Sequence, residues 1–526
     1  MDGEDRMRVP KGAIFPENPL LGWLPVLSLT VLSLAVLCLA GWAAPAAAVE
    51  PPLVVAIDSA PATLDPFMAG DAYGVRISHQ LLHETITRLD AGLNTVPGLA
   101  EWRRVGPTQY VLTVRDDVRF HDGTPLRAAH VVATLHRFMA PETGSPHGGV
   151  LRDHIATLRE TGPRTLELTL KGPYPALPEA LMLPVVGPGA EGEARINGTG
   201  PYRLHKRAPT ELVLVANPAH RTPPGIGTVM FKVIKDDNTR LLRFRKGDIH
   251  LGINVLPLEK LVQFTRPPLK RTYTLHEAPG LSFQYLGYNL QDPALAKREV
   301  RLAIAHAINV EALITHRQRG HSVRATGLMP TGSPFADDTL SPWPHDPARA
   351  EALLEQAGYP RKEGVRLKLV YKTTTNRAAR AQASIIAADL AKVGIEVEVR
   401  SYEWATFYAD IIKGNFQIYS LRWIGVANPD FLHELLHSAK FPPEGRNRGR
   451  YVDPGMDALL EAAIAEGGGA QRQALYQKVH ARVHTELPFL SLWHNNNVAV
   501  LARGLKGFAL HPSGGFEYLH RLQWAP

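Results

Sequence analysis

The stretch HELLH, residues 433–437, has the residue types and the spacing of a zinc peptidase site. In H-E-x-x-H on a helix, the two histidines share one face and bind zinc, while the glutamate acts as general base. A further carboxylate ligand would have to follow, and Glu461 or Glu466 lies at a conceivable distance along the chain but in no supporting motif. In a chain with 22 histidines, a chance match is roughly a one-in-twenty event. A zinc hydrolase that uses His433, Glu434 and His437 is therefore a remote alternative.

Other signatures of catalysis or of nucleic-acid binding are missing from the sequence. It contains no G-x-S-x-G elbow, no P-loop and no Rossmann glycine fingerprint. The formal net charge of +8 fits an anionic partner or a membrane surface, and equally a basic surface without a specific partner. Because no dense Lys/Arg run with interleaved aromatics occurs, nucleic acid is not expected as a partner.

The N-terminal region has the organisation of a secretory signal peptide. A polar start with Arg6, Arg8 and Lys11 precedes the uncharged run LLGWLPVLSLTVLSLAVLCLAGW and the small-residue exit AAPAAAVE. The pattern Ala46-x-Ala48 offers a cleavage site, so we expect residues 1–48 to be removed on export. The alternative is an uncleaved membrane anchor, since the run is long enough to span a bilayer. The acidic residues before the run leave open which methionine starts the chain.

With 526 residues the chain is long enough for two or three domains or lobes. Its middle alternates strand and helix patterns, which favours an open, mostly parallel sheet with covering helices. The predicted strands are 365–371, 395–400 and 416–421, and the predicted helices are 297–314, 376–394 and 402–414.

Helix start and stop signals support these helices. Asn376 can cap the helix that Gly394 ends. Asp346 can cap another helix, with Pro347 in the first turn and Gly358 after the last.

The first half is richer in strands and turns. TLELTL (165–170) and ELVLVANP (211–218) alternate like strands. QYVLTVRDDVRFHDGTPL reads as two strands with turns at 116–117 and 122–123, and Pro125 opens the helix that follows.

Several segments, in order, resemble one family, the extracellular solute-binding proteins of the peptide/nickel type (family 5). They are PGLAEWRRVGPTQYVLTVRDDVRFHDGTPLRAAHVVATLHRF (97–138), INGTGPYRLHKRAPTELVLVANPAH (196–220), YLGYNLQDPALAKREVRLAIAHAINVEALI (285–314) and LYQKVHARVHTELPFLSLWHNNNVAV (475–500). The matches cover nearly all of residues 53–522, and an ordered set of this kind is far more specific than any one motif.

The resemblance implies an α/β, two-lobe periplasmic-binding-protein clamshell (type II, cluster C-like) with an extra subdomain in lobe I. The lobes would close over a ligand by a hinge. On this reading 49–285 is lobe I with its added subdomain at about 82–195, 286–489 is lobe II, and 490–526 returns to lobe I.

Ligands of open α/β sheets bind beyond the carboxyl ends of the strands. Two such ends occur here. The strand ending at Tyr371 opens into Lys372, Thr373 and Thr374, and the strand ending at Leu421 opens into RWIGVANPD. We expect the two loops to lie together. Their candidate ligand contacts are Lys372, Thr373, Thr374, Arg422, Trp423, Ile424, Val426 and Asn428.

In the family, the tryptophan matching Trp423 lines the pocket, and an aspartate three residues later holds the α-amino group of a peptide. Here that position is Val426, and Asp430 begins the next helix instead. The loss of such a charge-assisted bond, about 1.5–3 kcal/mol, predicts that the usual amine anchor is not used. A blocked peptide, an anionic or neutral solute, and a peptide held by its backbone remain open.

From lobe I, Asp71 and Tyr73 are candidates to reach the cleft. His494 lies near the hinge and either touches the ligand or packs. The resemblance therefore predicts a non-enzymatic, monomeric periplasmic protein of an ABC importer. It would take a peptide or peptide-like solute to a permease with ATPase subunits, without a cofactor. The alternative within the same fold is a nickel or metal-chelate binder.

Overall fold

The computed structural model describes residues 50–188, 196–425, 427–466 and 469–525. The predicted signal peptide and Val426 lie outside these ranges. Pro52–Pro526 forms one compact unit. No helix of the described residues is both long and apolar enough to cross a membrane.

The strands are β1 (Leu53–Ile57), β2 (Thr87–Leu89), β3 (Thr95–Pro97), β4 (Ala100–Gly106), β5 (Gln109–Val114), β6 (Ile155–Gly162), β7 (Thr165–Leu170), β8 (Tyr202–Ala208), β9 (Glu211–Ala216), β10 (Thr228–Val233), β11 (Leu251–Ile253), β12 (Tyr273–Tyr288), β13 (Ser322–Arg324), β14 (Leu367–Thr374), β15 (Ile395–Tyr402), β16 (Ile418–Ile424), β17 (Phe489–Ala502), β18 (Leu505–Lys506) and β19 (Gln523–Trp524).

The α-helices are Ala72–Ile77, Ala128–Met139, Gly148–His154, Leu177–Ala180, Asp237–Lys246, Leu258–Leu261, Leu269–Thr272, Arg298–Ala307, Val310–Ala312, Pro347–Gln356, Arg377–Lys392, Trp404–Lys413, Phe431–Leu436, Pro454–Ala465 and Gly469–Glu486.

One sheet runs through the whole compact unit. Within the described ranges it has eleven strands, in the order β15-β14-β16-β12-β17-β11-β1-β10-β9-β8, with β13 paired to β17. β14 is parallel to both β15 and β16, so the predicted β-α-β-α-β unit is present. β1 is likewise parallel to β10 and β11. We call the half of the sheet around β1 and β8–β11 lobe I, and the half around β14–β16 lobe II.

Lobe II has a hydrophobic core on each face of its sheet. One contains Tyr371, Ile386 and Ile418, and the other contains Phe283 and Tyr285. Asn376 caps the helix Arg377–Lys392 as predicted, because its side chain accepts from the N–H groups of the first turn. Asp346 caps the helix Pro347–Gln356 in the same way.

Lobe I has its core between β1, β10 and the returning C-terminal residues of β17. A third core lies under the separate four-stranded sheet β4-β5-β7-β6, against the helix Ala128–Met139. β7 has the bounds that the sequence predicted. The predicted strand after the 116–117 turn is absent, because its residues form only an isolated bridge, Arg119 to Pro125. The exact lobe and subdomain boundaries remain predictions.

β12 and β17 are shared by the two lobes. The first part of β12 pairs with the stretch of β17 that also binds β11, and its second part pairs with β16. The register between β12 and β17 shifts between Pro279 and Ser282. A Cβ atom on Gly280 would lie 2.6 Å from the carbonyl oxygen of Asn495, so this crossing requires glycine.

Candidate functional site

Trp423 lies near the end of β16, where β12 passes between the lobes. It is in register with Phe283, which in turn faces His494 on β17. Its ring stacks parallel to that of Tyr285 with 6.1 Å between centroids, and Phe431 meets it edge-on at 5.0 Å. The tryptophan is therefore a half-buried member of an aromatic cluster at the lobe boundary.

Two arginines cover this tryptophan. The guanidinium of Arg448 lies 4.4 Å from the ring centroid, and that of Arg446 lies 5.7 Å from it. Arg448 is buried, and it donates hydrogen bonds of 3.1 Å to the hydroxyl oxygens of both Tyr285 and Tyr408. Arg446 is exposed and also lies over Phe431. Cations at these distances from an aromatic face are attracted by its quadrupole.

These arginines did not emerge from the sequence as candidates. The signal was present as Arg446-x-Arg448-x-Arg450 in the stretch GRNRGRY. It was missed because the distance along the chain from Trp423 gives no indication that the two segments meet.

Arg422 and Ile424 flank Trp423 on β16 and point to the other face of the sheet, because strand side chains alternate. Ser420 shares that face and is bonded to Gln382. Ile424 is 69% exposed. Arg422 is exposed too, and no hydrogen bond or ion pair to it is found among the described residues.

The loop after β16 does not behave as its sequence suggested. Asn428 is half-buried, and its side-chain oxygen accepts from the N–H of Asp430, which leaves it within its own turn. Asp430 stands before the helix Phe431–Leu436 without capping it through its side chain. Its carboxylate accepts instead from Arg472 at 2.6 Å and from the hydroxyl of Tyr476.

The last residues of β14 hold their polar groups within lobe II, and the strand includes Lys372, Thr373 and Thr374, which the sequence placed in a loop. Lys372 is ion-paired with Asp410 at 2.6 Å and is not the free cation that the sequence suggested. Thr373 is buried, and the hydroxyl oxygen of Thr374 accepts from the N–H of Asn376 at 3.4 Å. A ligand contact from these residues remains a prediction.

The lobe I candidates have structural partners. Asp71 caps the helix Ala72–Ile77, and it also accepts from the N–H of Ala62 at 3.1 Å. Tyr73 is buried, and its hydroxyl accepts from the N–H of Asp58 at 3.5 Å. Burial raises the pKa of Tyr73 to about 12, so its hydroxyl stays protonated. Contact of either residue with a ligand remains a prediction.

His494 is buried in β17 and bonds the carbonyl oxygen of Gly327 through Nε2 at 3.1 Å. Burial lowers the pKa of His494 to about 4, so the ring is neutral at physiological pH. Packing accounts for this environment, and a contact with ligand remains a prediction.

HELLH forms no zinc site in the structure. The helix Phe431–Leu436 ends before His437, whose Nε2 lies 3.2 Å from Glu461. Glu434 is ion-paired with Lys440 at 3.0 Å. Within the described ranges, no group of three or more His, Cys, Asp or Glu side chains could hold a metal ion.

A second buried arginine joins two of the cores. Arg472, on the helix Gly469–Glu486 of lobe II, lies 3.5 Å from Glu179, beside the four-stranded sheet. It also binds Asp430 at 2.6 Å. Burial raises the pKa of the Glu179 carboxyl, whose Oε2 has no hydrogen-bond partner among the described residues.

Comparison with known proteins identifies the fold. The sequence model of one protein family, the bacterial extracellular solute-binding proteins, family 5 (middle), matches residues 94–442. The glutathione-binding protein GsiB of Salmonella typhi is 26% identical over 487 residues, 89% of this chain and 93% of GsiB. HbpA2 from Haemophilus parasuis superposes with a TM-score of 0.81 at 24% identity, covering 90% of this chain and 100% of HbpA2. NikA from Brucella suis in complex with Fe(III)-EDTA superposes with a TM-score of 0.79 at 23% identity, covering 90% of this chain and 100% of NikA.

The chain belongs to family 5 of the bacterial extracellular solute-binding proteins. Its fold is the two-lobe clamshell of the periplasmic binding proteins, as predicted. The family also confirms the prediction that the protein binds and delivers a solute and is not an enzyme.

Proposed function

We propose that the protein captures a peptide or peptide-like solute in the cleft between its lobes. It delivers this solute to an ABC permease that works with ATPase subunits in the inner membrane. The observation that carries the proposal is the family match over residues 94–442. The likeness to a glutathione-binding protein over 89% of the chain supports a peptide-like cargo.

The flat ring of Trp423 is the contact that we expect the solute to make first. It is half-buried and lies where the strands shared by the lobes cross. Large, rigid aromatic side chains give much contact area for little lost side-chain entropy.

We propose that the chain is exported, that residues 1–48 are removed, and that the protein acts as a monomer in the periplasm. The pattern Ala46-x-Ala48 supports this cleavage position. N-terminal sequencing of the protein from the periplasmic fraction tests it. Retention of the apolar segment in the membrane fraction would instead indicate an anchor.

The cargo can be tested by native mass spectrometry of the purified protein, followed by thermal unfolding with a panel of peptides. A solute at one hundred times its dissociation constant should stabilise the protein by about 2.7 kcal/mol. Trp423→Ala should lose much of this gain. Trp102→Ala, on the separate four-stranded sheet, is the matched control and should keep it. If no solute co-purifies and no peptide stabilises the protein, the peptide proposal is wrong.

The metal-chelate alternative stays a prediction that the same preparation tests. If the alternative is right, metal analysis of protein purified without a nickel-binding affinity tag will show a metal-to-protein ratio near one. A ratio near zero, together with a co-purified peptide, decides for the main proposal.

A further inference from the structure

Arg448 is a buried cation with no carboxylate partner among the described residues. It is 7% exposed, its hydrogen bonds go to two neutral hydroxyl groups, and its Nε has no partner there. A guanidinium keeps its charge in proteins, so burial does not neutralise it. Burying an unpaired charge is costly, and buried charges are ordinarily paired.

The elements around Arg448 give it no ion pair among the described residues. Four carboxylates on them are each bound to another cation, namely Asp410 to Lys372, Asp430 to Arg472, Glu434 to Lys440 and Asp453 to Arg482. The phenols that line the site are neutral, because burial raises the pKa of both Tyr285 and Tyr419. Within the described ranges no carboxylate balances Arg448, so a solute can supply its counter-charge.

A small cavity lies against this guanidinium. Trp423, Arg446, Arg448, Tyr419 and Tyr451 are among its lining residues, and its volume is about 20 Å³. A water molecule needs about 10–15 Å³ measured this way, so one or two atoms of a charged group fit. The cavity suits the end of a solute and is too small for a whole peptide.

Arg446 adds a second cation at the same place. Its guanidinium lies over Trp423 and Phe431, it is exposed, and it has no ion pair among the described residues. A negatively charged group would therefore meet one cation at the surface and a second one beneath it.

We propose that this cavity is an anion subsite, in which Arg448 binds a carboxylate of the solute and Arg446 attracts it at the entrance. The proposal rests on the proposed function and narrows it to solutes with a free carboxylate. That carboxylate is either the C-terminus of a peptide or an acidic side chain. A guanidinium suits either source, because its parallel N–H groups match a carboxylate.

Binding of matched probes tests the subsite. Trialanine with a free C-terminus is compared with trialanine amide, and Ala-Glu-Ala amide with Ala-Gln-Ala amide, by isothermal titration. At least one acid should bind roughly 10- to 100-fold more tightly than its neutral counterpart, the range of a charge-assisted hydrogen bond. The pair that shows the difference identifies the source of the carboxylate. Arg448→Met should abolish the difference, and equal affinities within both pairs in the wild type would overturn the proposal.

Unfolding of the empty protein gives a second test that needs no ligand. Replacing an unpaired buried cation by an apolar side chain of similar size should leave the melting temperature unchanged or raise it. Arg450→Met is the matched control. Arg450 donates a hydrogen bond of 3.0 Å to the carbonyl oxygen of Ile412, and loss of this bond should lower the melting temperature. An equal fall in Arg448→Met would show that its guanidinium is structural, which overturns the proposal. If no probe binds, tripeptides of this kind are not the solute, and this comparison still decides whether the guanidinium of Arg448 is structural.

Discussion

Two arginines of lobe II are almost equally buried and are used in opposite ways. Arg472 is 3% exposed and lies between two carboxylates, Asp430 at 2.6 Å and Glu179 at 3.5 Å. Arg448 is 7% exposed, and within the described ranges its hydrogen bonds and cation–π contacts go to tyrosine hydroxyls and aromatic rings.

The difference shows that burial alone does not reveal what a charged residue is for. The charge of Arg472 is satisfied inside the protein, where it connects lobe II to the four-stranded sheet. The charge of Arg448 is not, and it faces a cavity beside the tryptophan at the lobe boundary. The partners therefore distinguish a structural arginine from one available to a solute.

The largest effect is expected when the paired arginine is lost. Arg472→Met leaves Asp430 and Glu179 buried without their cation, which should lower the free energy of unfolding by about 3–5 kcal/mol. Urea unfolding measures this. Arg482→Met is a control on the same helix, because its pair with Asp453 is 40% exposed at the arginine and should cost about 0–1 kcal/mol. If Arg472→Met and Arg482→Met lose the same free energy of unfolding, the buried pair of Arg472 has no special structural role.

A smaller effect with a defined pH dependence is expected at Glu179. Since burial raises its pKa in the folded protein, its contribution to stability is largest at low pH and falls as the pH rises through the folded pKa. Glu179→Gln should therefore gain stability relative to the wild type between acidic and neutral pH. Urea unfolding at several pH values measures the difference. An opposite slope would mean that Arg472 outweighs burial.

A still smaller effect is expected at the entrance of the anion subsite. Arg446→Gln removes an exposed charge, so binding of a peptide acid should weaken by about 0–1 kcal/mol. The loss should shrink at high salt, since exposed charges are screened. Titrations at low and high salt measure it. A large loss of affinity that does not depend on salt would instead show that Arg446 is the main cation that binds the carboxylate.

The smallest effect is expected in HELLH. Glu434→Gln removes a surface pair with Lys440, worth about 0–1 kcal/mol, and should leave solute binding unchanged. Zinc titration of the wild type should show no stoichiometric binding at this motif. Tight zinc binding that Glu434→Gln or His437→Ala weakens would reopen the metal interpretation.

Much of the fold follows from local patterns in the sequence. Asn376 and Asp346 cap the helices that they were expected to cap, since capping depends on residues a few positions apart. The alternation of TLELTL gives β7 its bounds. Asp430 has the position of a cap as well, but a distant arginine and tyrosine bind its carboxylate.

The candidate site was only partly predictable. Trp423 could be found because the family resemblance marks it, whereas Arg448 reaches it from a segment that sequence alone does not place nearby. Lys372 looked available because its partner Asp410 lies on a separate element, the helix Trp404–Lys413. Tertiary contacts decide whether a charged side chain is paired inside the protein or available to a ligand, and the local periodicity of the sequence does not encode those contacts.

The return of β17 to lobe I has a consequence for the order of folding. β1, among the first described residues, pairs with β11, and β11 needs β17, near the end of the chain. Val498, Leu505 and Leu522 also belong to the lobe I core. Lobe I can therefore close its core only when these C-terminal residues are in place, whereas β14–β16 and their helices form from contiguous residues.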